Sequence, residues 1–448
     1  MQSSGASRID LAWTRVRDSL WFIPSIAVAF ASVLAVFAVG IPNPSAGSGL
    51  TPMWLFSGGA EGARGVLTAI AGGLISVTGT IFSVTIVALQ LASSQFTPRV
   101  LGSFMADRVN QSVLGVFIGT FTYTLLVLRT IHSEGQDRSV FVPQVGITIA
   151  LGLLLVSIGA LIVFINHAAQ SIRVSVILSR ESRRTLERVE QLFPRQVGWP
   201  ASADAAAEWA PPGPAGVVVA LESGYLQAVH AEALWRLSDE EGRREPIAIR
   251  MEMHVGAFTF PGKALASVWP ARLAEGAVAR AVRRAFVLGP ERTSDFDVEF
   301  GLVELSDIAV KALSPSINDP TTAMHCIDRL SELLSALGTR RQPNPLRSSA
   351  DGRVRLLVRD TPFERSVGVA FDQIRHFGAN NPTIVKKLLE ALSDLAAVVD
   401  VQARPALRAQ VHSVLAAARR AIDDPGELAA IERLAAQPLY APREDERV

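Results

Sequence analysis

Between Arg64 and Arg99 the chain runs for 34 residues without a charged side chain. Similar charge-free stretches cover residues 20–41, 109–128 and 139–172. The hydrocarbon core of a bilayer takes about 20 apolar residues of helix to cross. Each stretch is long enough, and water-soluble domains rarely keep four such runs free of charge. The sequence therefore predicts four membrane spans, over residues 20–41, 65–92, 110–128 and 144–170. Function has to be sought in what crosses, gates or is held at a membrane.

Residues 1–172 are mostly apolar, while residues 173–448 hold most of the charge. The second half is long enough to bury a core of its own. A net charge of +1 gives no reason to invoke nucleic acid. Cys326 is the only cysteine, so the chain has no internal disulfide and no multi-thiolate metal site. The start reads as an uncleaved first helix. Its apolar run is about 20 residues, longer than a signal-peptide core of about 7–15.

Basic residues near the span ends set orientation. With the N-terminus inside, the inner flanks carry ten arginines (Arg8, Arg15, Arg17, Arg99, Arg108, Arg173, Arg180, Arg183, Arg184 and Arg188). The outer flanks carry three, Arg64, Arg129 and Arg138. That asymmetry predicts both termini in the cytoplasm.

The second span is the unusual one. At 28 residues it makes about 42 Å of helix and exceeds a ~30 Å core. It carries Ser76, Thr80, Ser83 and Gln90, spaced by 4, 3 and 7, which puts all four on one helical face. Thr78 and Thr85 form a neighbouring row. An uncharged polar face suits a pore-lining helix. It equally suits close helix packing. On the pore reading, Ile81 and Val84 point away from water. The third span holds Gly115 and Gly119, a GxxxG pair that lets two helices approach closely and points to self-association. The fourth ends in Asn166 and His167, candidates for a pathway or a pH-sensitive position. The elbow after the second span, with Gln95, Pro98 and Arg99, is a natural place for gating.

Residues 173–214 read as a helix leaving the membrane, then a Pro/Gly/Ala linker. Residues 215–270 alternate in the manner of short strands and predict a small β barrel or sandwich. Residues 271–448 read as mostly helical, with a surface loop at 344–352 and a helix broken or kinked at Pro405. Within them Ser314, Asn318, Asp319 and Thr321 surround a helix start, with Asp319 at the N-cap and Pro320 at N1. Free first-turn amides there would take a small ion or anionic ligand. A plain capped turn is the other reading. His325, Cys326 and Asp328 are too clustered for a zinc site, and no metal or cofactor is read. The fold class is an α-helical membrane protein with a cytoplasmic α+β region.

The segments 80–99, 114–119 and 312–323, the last with its Ser-Pro-Ser-Ile-Asn-Asp-Pro run, resemble a family of bacterial predicted membrane proteins, domain of unknown function 2254. Where that family usually has Gly after Ser-Pro, this chain has Ser316. The resemblance covers nearly the whole chain and implies an integral protein of the bacterial inner membrane with a cytoplasmic domain. It brings no activity with it. The residues themselves leave two functions open: a homo-oligomeric ion channel gated by its cytoplasmic region, or a non-conducting membrane-anchored sensor or scaffold. No span holds a mid-membrane carboxylate of the kind proton-coupled transporters use. No paired carboxylates, Ser/His/Asp set or phosphate loop points to an enzyme.

Overall fold

The computed structural model describes residues 19–42, 55–95, 107–132, 141–171, 173–192, 199–200, 213–239, 247–293, 297–340, 346–348, 354–359 and 361–436. They form two compact units, one within residues 11–176 and one within 177–448.

The membrane unit has four helices long and apolar enough to cross a bilayer: α1 (Phe22–Gly40), α2 (Ala60–Gln95), α3 (Arg108–Leu128) and α4 (Gln144–Ser171). α3 packs against all three others. Its start is fixed by Asp107, whose Oδ1 accepts the Val109 amide at 2.9 Å. α1 buries small residues, Ala31, Ala35 and Ala38, and turns Ile26, Phe30, Val36 and Phe37 outward. That inverts a soluble helix, because lipid is as apolar as Leu and close contact becomes the main attraction. Gly115 and Gly119 receive Ala27 of α1. A Cβ at Gly119 would lie 3.3 Å from the Ala27 carbonyl oxygen, and one at Gly115 3.4 Å from the Ala27 Cβ. The GxxxG pair is therefore filled by α1 of the same chain, and it loses its value as a signal for self-association.

The second unit begins in α5 (Val174–Leu192), which follows α4 after two residues. Two sheets come next. The first is mixed, in the order β1 (Trp199–Pro200), β8 (Leu346–Ser348), β9 (Val354–Leu357), β4 (Ala248–Met251), β6 (Ala264–Trp269), β2 (Gly216–Val219). All its pairs are antiparallel except β4–β9. The second has β3 (Gly224–Val229) between β5 (Phe258–Thr259) and β7 (Phe286–Gly289). Helices α6 (Ala231–Ser238) and α7 (Gly276–Ala285) pack beside the strands. Neither sheet closes on itself, so of the expected barrel or sandwich no closed barrel forms, and two open sheets share a core around Val218, Leu226, Ile249, Val268 and Leu356. Strands also come from outside 215–270. The expected surface loop at 344–352 contains β8, buried between β1 and β9. Its Leu346 is apolar, but a three-residue strand is too short to show alternation.

The remaining helices are α8 (Val298–Ala312), α9 (Pro320–Gly338), α10 (Phe363–Phe377), α11 (Pro382–Val398), α12 (Arg404–Ala421) and α13 (Pro425–Ala436). Several start as their sequences dictate. Asp297, Asp319 and Asn381 each cap a first turn with a side-chain oxygen. Pro405 begins α12 at its first turn and does not kink it, since the missing amide costs nothing there.

The α1–α3 contact generates a test. Gly119→Leu should destabilise the membrane unit by about 1–3 kcal/mol through overpacking. Gly79→Leu, where a Cβ would meet nothing within 4 Å, should leave subunit stability unchanged. Thermal unfolding in detergent reads the difference.

Candidate functional site

α2 is packed along one side and bare along the other. Ala63, Leu67, Ile70, Leu74 and Ile81 form its buried stripe. At about 100° per residue, Ser76, Thr80, Ser83 and Gln90 fall on the opposite side, and all four are exposed on the subunit. Thr80 Oγ1 donates to the Ser76 carbonyl at 3.2 Å and Ser83 Oγ to that of Gly79 at 3.0 Å. Thr78 and Thr85 bond back in the same way from the half-buried flank. Ile81 is buried as expected, whereas Val84 is 43% exposed. Beyond Ile81 no described side chain of α2 is buried. One sequence signal was missed. Gly65, Gly72 and Gly79 recur every seven residues on the same outward side, and none has an atom within 4 Å of its Cβ position.

Where α3 begins and α4 ends, Asp107 Oδ2 and His167 Nε2 lie 3.0 Å apart. Asp107, Asn110 and Gln111 are buried there, and Asn110 Nδ2 has no hydrogen-bond partner among the described residues. Asn166 points elsewhere, exposed and accepting from Gln170 at 3.0 Å. His167 therefore joins a carboxylate 60 positions away, which helical spacing cannot reveal. Toward the end of α3, Ser157 Oγ meets Thr120 Oγ1 at 3.2 Å and the Tyr123 hydroxyl donates to the Gly146 carbonyl at 3.0 Å. A cavity of about 300 Å³ between α2, α3 and α4 is lined by Ile70, Gly73, Val77, Phe117, Leu161 and Ser157, with nothing charged. Gln95 is the last residue of α2, and its side chain lies outside the described residues, as does Arg99.

In the second unit Ser314, Asn318, Asp319 and Thr321 share one turn. The Asn318 and Asp319 amides donate to the carbonyls of Ser314 (2.9 Å) and Ala312 (2.8 Å). Ser314 Oγ donates to the Lys311 carbonyl. Asn318 takes the positive φ, 49°, a position Asn tolerates. The reversal thus falls two residues beyond Ser316. Asp319 accepts from the Thr322 amide and hydroxyl, at 3.0 and 2.5 Å. Those bonds hold its carboxyl below the usual range. The cap's own carboxylate occupies the place an anion would take. Thr321 is exposed on the first turn.

The most heavily charged buried cluster was not foreseen. Asp297, which caps α8, bonds Arg292 at 2.9 and 2.7 Å. Glu299 holds Arg365 of α10 in a two-pronged pair at 2.6 and 3.0 Å, with Arg292 3.6 Å away. Burial pushes the Glu299 carboxyl up, but hydrogen bonding and charge from Arg365, with Arg292, leave it lowered overall. Burial lifts Asp297 against the pull of Arg292. His254 is lowered by burial and by the facing Arg365. Gly256, at φ +87°, lets the sheet loop pass where any Cβ would strike Asp297 and Arg292. α5 docks nearby in sequence terms: Thr185 sits against Gly301, and Ser182 Oγ donates to Glu332 at 2.9 Å. Among the described residues no three His, Cys, Asp or Glu side chains converge as metal donors.

The Glu299 pair has a defined pH signature. A carboxyl lowered by folding adds stability above its ordinary titration range and loses it as pH falls through the folded-state value. Glu299→Gln should cost about 1–3 kcal/mol at neutral pH and should remove part of the acid-side loss. Melting of the full-length protein against pH measures both.

A family model described as "Predicted membrane protein (DUF2254)" matches residues 17–394. Relatives include the uncharacterized proteins Mb1321c of Mycobacterium bovis and Rv1290c of Mycobacterium tuberculosis. Each is 34% identical over 434 residues, spanning 94% of this chain and 80% of the relative. No solved structure matches.

Proposed function

We propose, from the premise that this chain belongs to the DUF2254 family of predicted membrane proteins, that it is an oligomeric channel or pore for small ions. The gate in this reading is the region after the fourth span. The observation that carries it is the outward face of α2, where Ser76, Thr80, Ser83 and Gln90 run beside the bare glycines Gly65, Gly72 and Gly79. The cavity inside one subunit is apolar, so a wetted path needs copies of α2 facing one another. Glycines admit the close approach, and hydroxyls and an amide give water and ions hydrogen-bond partners. The Arg asymmetry adds both termini in the cytoplasm of a bacterium, with the bilayer and further copies of the chain as partners. No catalytic step is assigned.

A non-conducting sensor or scaffold is favoured by one observation. Thr80 and Ser83 already spend their hydroxyls on their own helix, so the row is tolerable against lipid as well.

Labelling separates the two. Cysteines at Ser76, Thr80, Ser83 and Gln90 should react with a small aqueous thiol reagent, and one at Ile81 should not. Ser83→Leu should lower ion flux from proteoliposomes severalfold, and Ser83→Asp should bias currents toward cations. Unreactive cysteines with silent bilayers would overturn conduction and leave the scaffold.

Orientation has its own test. Alkaline-phosphatase fusions after residues 50 and 135 should be active, and those after 105 and 448 inactive. An active C-terminal fusion would overturn the topology.

A further inference from the structure

Two neighbouring loops of the second unit carry large apolar side chains into the open. Leu221, after β2, is 66% exposed; Phe258 and Phe260, on β5 and just past it, are 47% and 53% exposed. The loops are braced against each other. The Ala220 amide donates to the Lys263 carbonyl at 2.9 Å, and the Gly262 amide to the Ala220 carbonyl at 3.0 Å. Tyr225 supports the Phe258 ring edge-on, with centroids 5.1 Å apart. Lys263 Nζ donates to the Phe258 carbonyl at 2.6 Å and sits 5.7 Å from the Phe260 ring centre. The main chain thus holds both rings outward. Arg283, in the last turn of α7, donates to the Val219 carbonyl at 2.9 Å beside this tip, and the following residue, Arg284, is exposed. Arg280 lies one turn back. Glu222 and Glu275 are the acidic residues of the same segments.

We propose that the Leu221/Phe258/Phe260 tip docks into the surface of an anionic bilayer. The apolar side chains would reach the acyl boundary while Lys263, Arg283 and Arg284 meet lipid phosphates. Aromatic side chains flanked by cations suit the headgroup zone. Basic residues near an anionic leaflet add electrostatic attraction to the apolar contact. Three side chains are far fewer than the roughly 20–30 residues a side of a stable protein interface, so a second copy is the poorer occupant. The spans already keep the chain at a membrane, so the docking step is intramolecular and needs little intrinsic affinity. The inference is independent of conduction.

The test uses the full-length protein in vesicles of phosphatidylcholine with or without phosphatidylglycerol. Phe260→Cys carries an environment-sensitive fluorophore, with Leu221→Cys as a second site should the first disturb the turn. Glu232→Cys, on exposed α6, is the reference. Cys326 is fully buried and should stay unlabelled. Lipid bearing a nitroxide high on its acyl chain should quench positions 260 and 221 severalfold more than 232. The excess should shrink in vesicles without phosphatidylglycerol and in Arg284→Glu. Equal quenching at all three positions would overturn the proposal. So would cross-linking between copies through position 260, which would assign the tip to a protein partner.

Discussion

Hydrocarbon offers no water to expel, so helices inside it are held by how closely they approach and by whether their polar atoms find partners. The membrane unit depends on that constraint. Ala27 of α1 seats on Gly115 and Gly119 of α3, and α3 then serves as the post on which α2 and α4 pack. Two polar contacts join α3 to α4: Ser157 with Thr120, and Tyr123 with the Gly146 backbone. α2 obeys the rule along one side and departs from it along the other, where small and hydroxyl-bearing positions face outward with nothing of the same chain against the glycines.

The second unit is governed by water, and it keeps its charges where two kinds of structure meet. The loop through Gly256 and the start of α8 come close enough to need a glycine. Two carboxylates and two arginines are buried or half-buried at that junction. A lone buried charge would be costly, and one partner removed leaves the other stranded. The cluster therefore fixes how the sheet loop, α8 and α10 meet.

The spans and the Asp319 helix start were legible because each is written in consecutive residues. Length and lack of charge mark the spans. An Asp followed by Pro marks a first turn whatever surrounds it. What was not legible lies in pairs far apart in the chain. His167 meets Asp107, Arg365 meets Glu299, and β9 joins β4 across about a hundred residues, and no periodicity encodes such partners. The GxxxG pair was seen, but a spacing does not say which helix fills it, and α1 does. The Gly65, Gly72 and Gly79 repeat was written in the sequence and passed over beside the polar row. Ser316 stands where the resemblance leads one to expect glycine, yet the turn still needs a positive φ, and Asn318 supplies it two residues on.

That glycine repeat has a geometric consequence. A straight α-helix completes two turns in slightly more than seven residues, so a strict seven-residue stripe drifts by about 20° per repeat. Gly65, Gly72 and Gly79 thus trace a shallow diagonal over two repeats. A neighbouring helix that follows all three must wind with left-handed pitch about α2. Any bundle built on this stripe would bring its axes closest at these three glycines, where no side chain stands between the backbones.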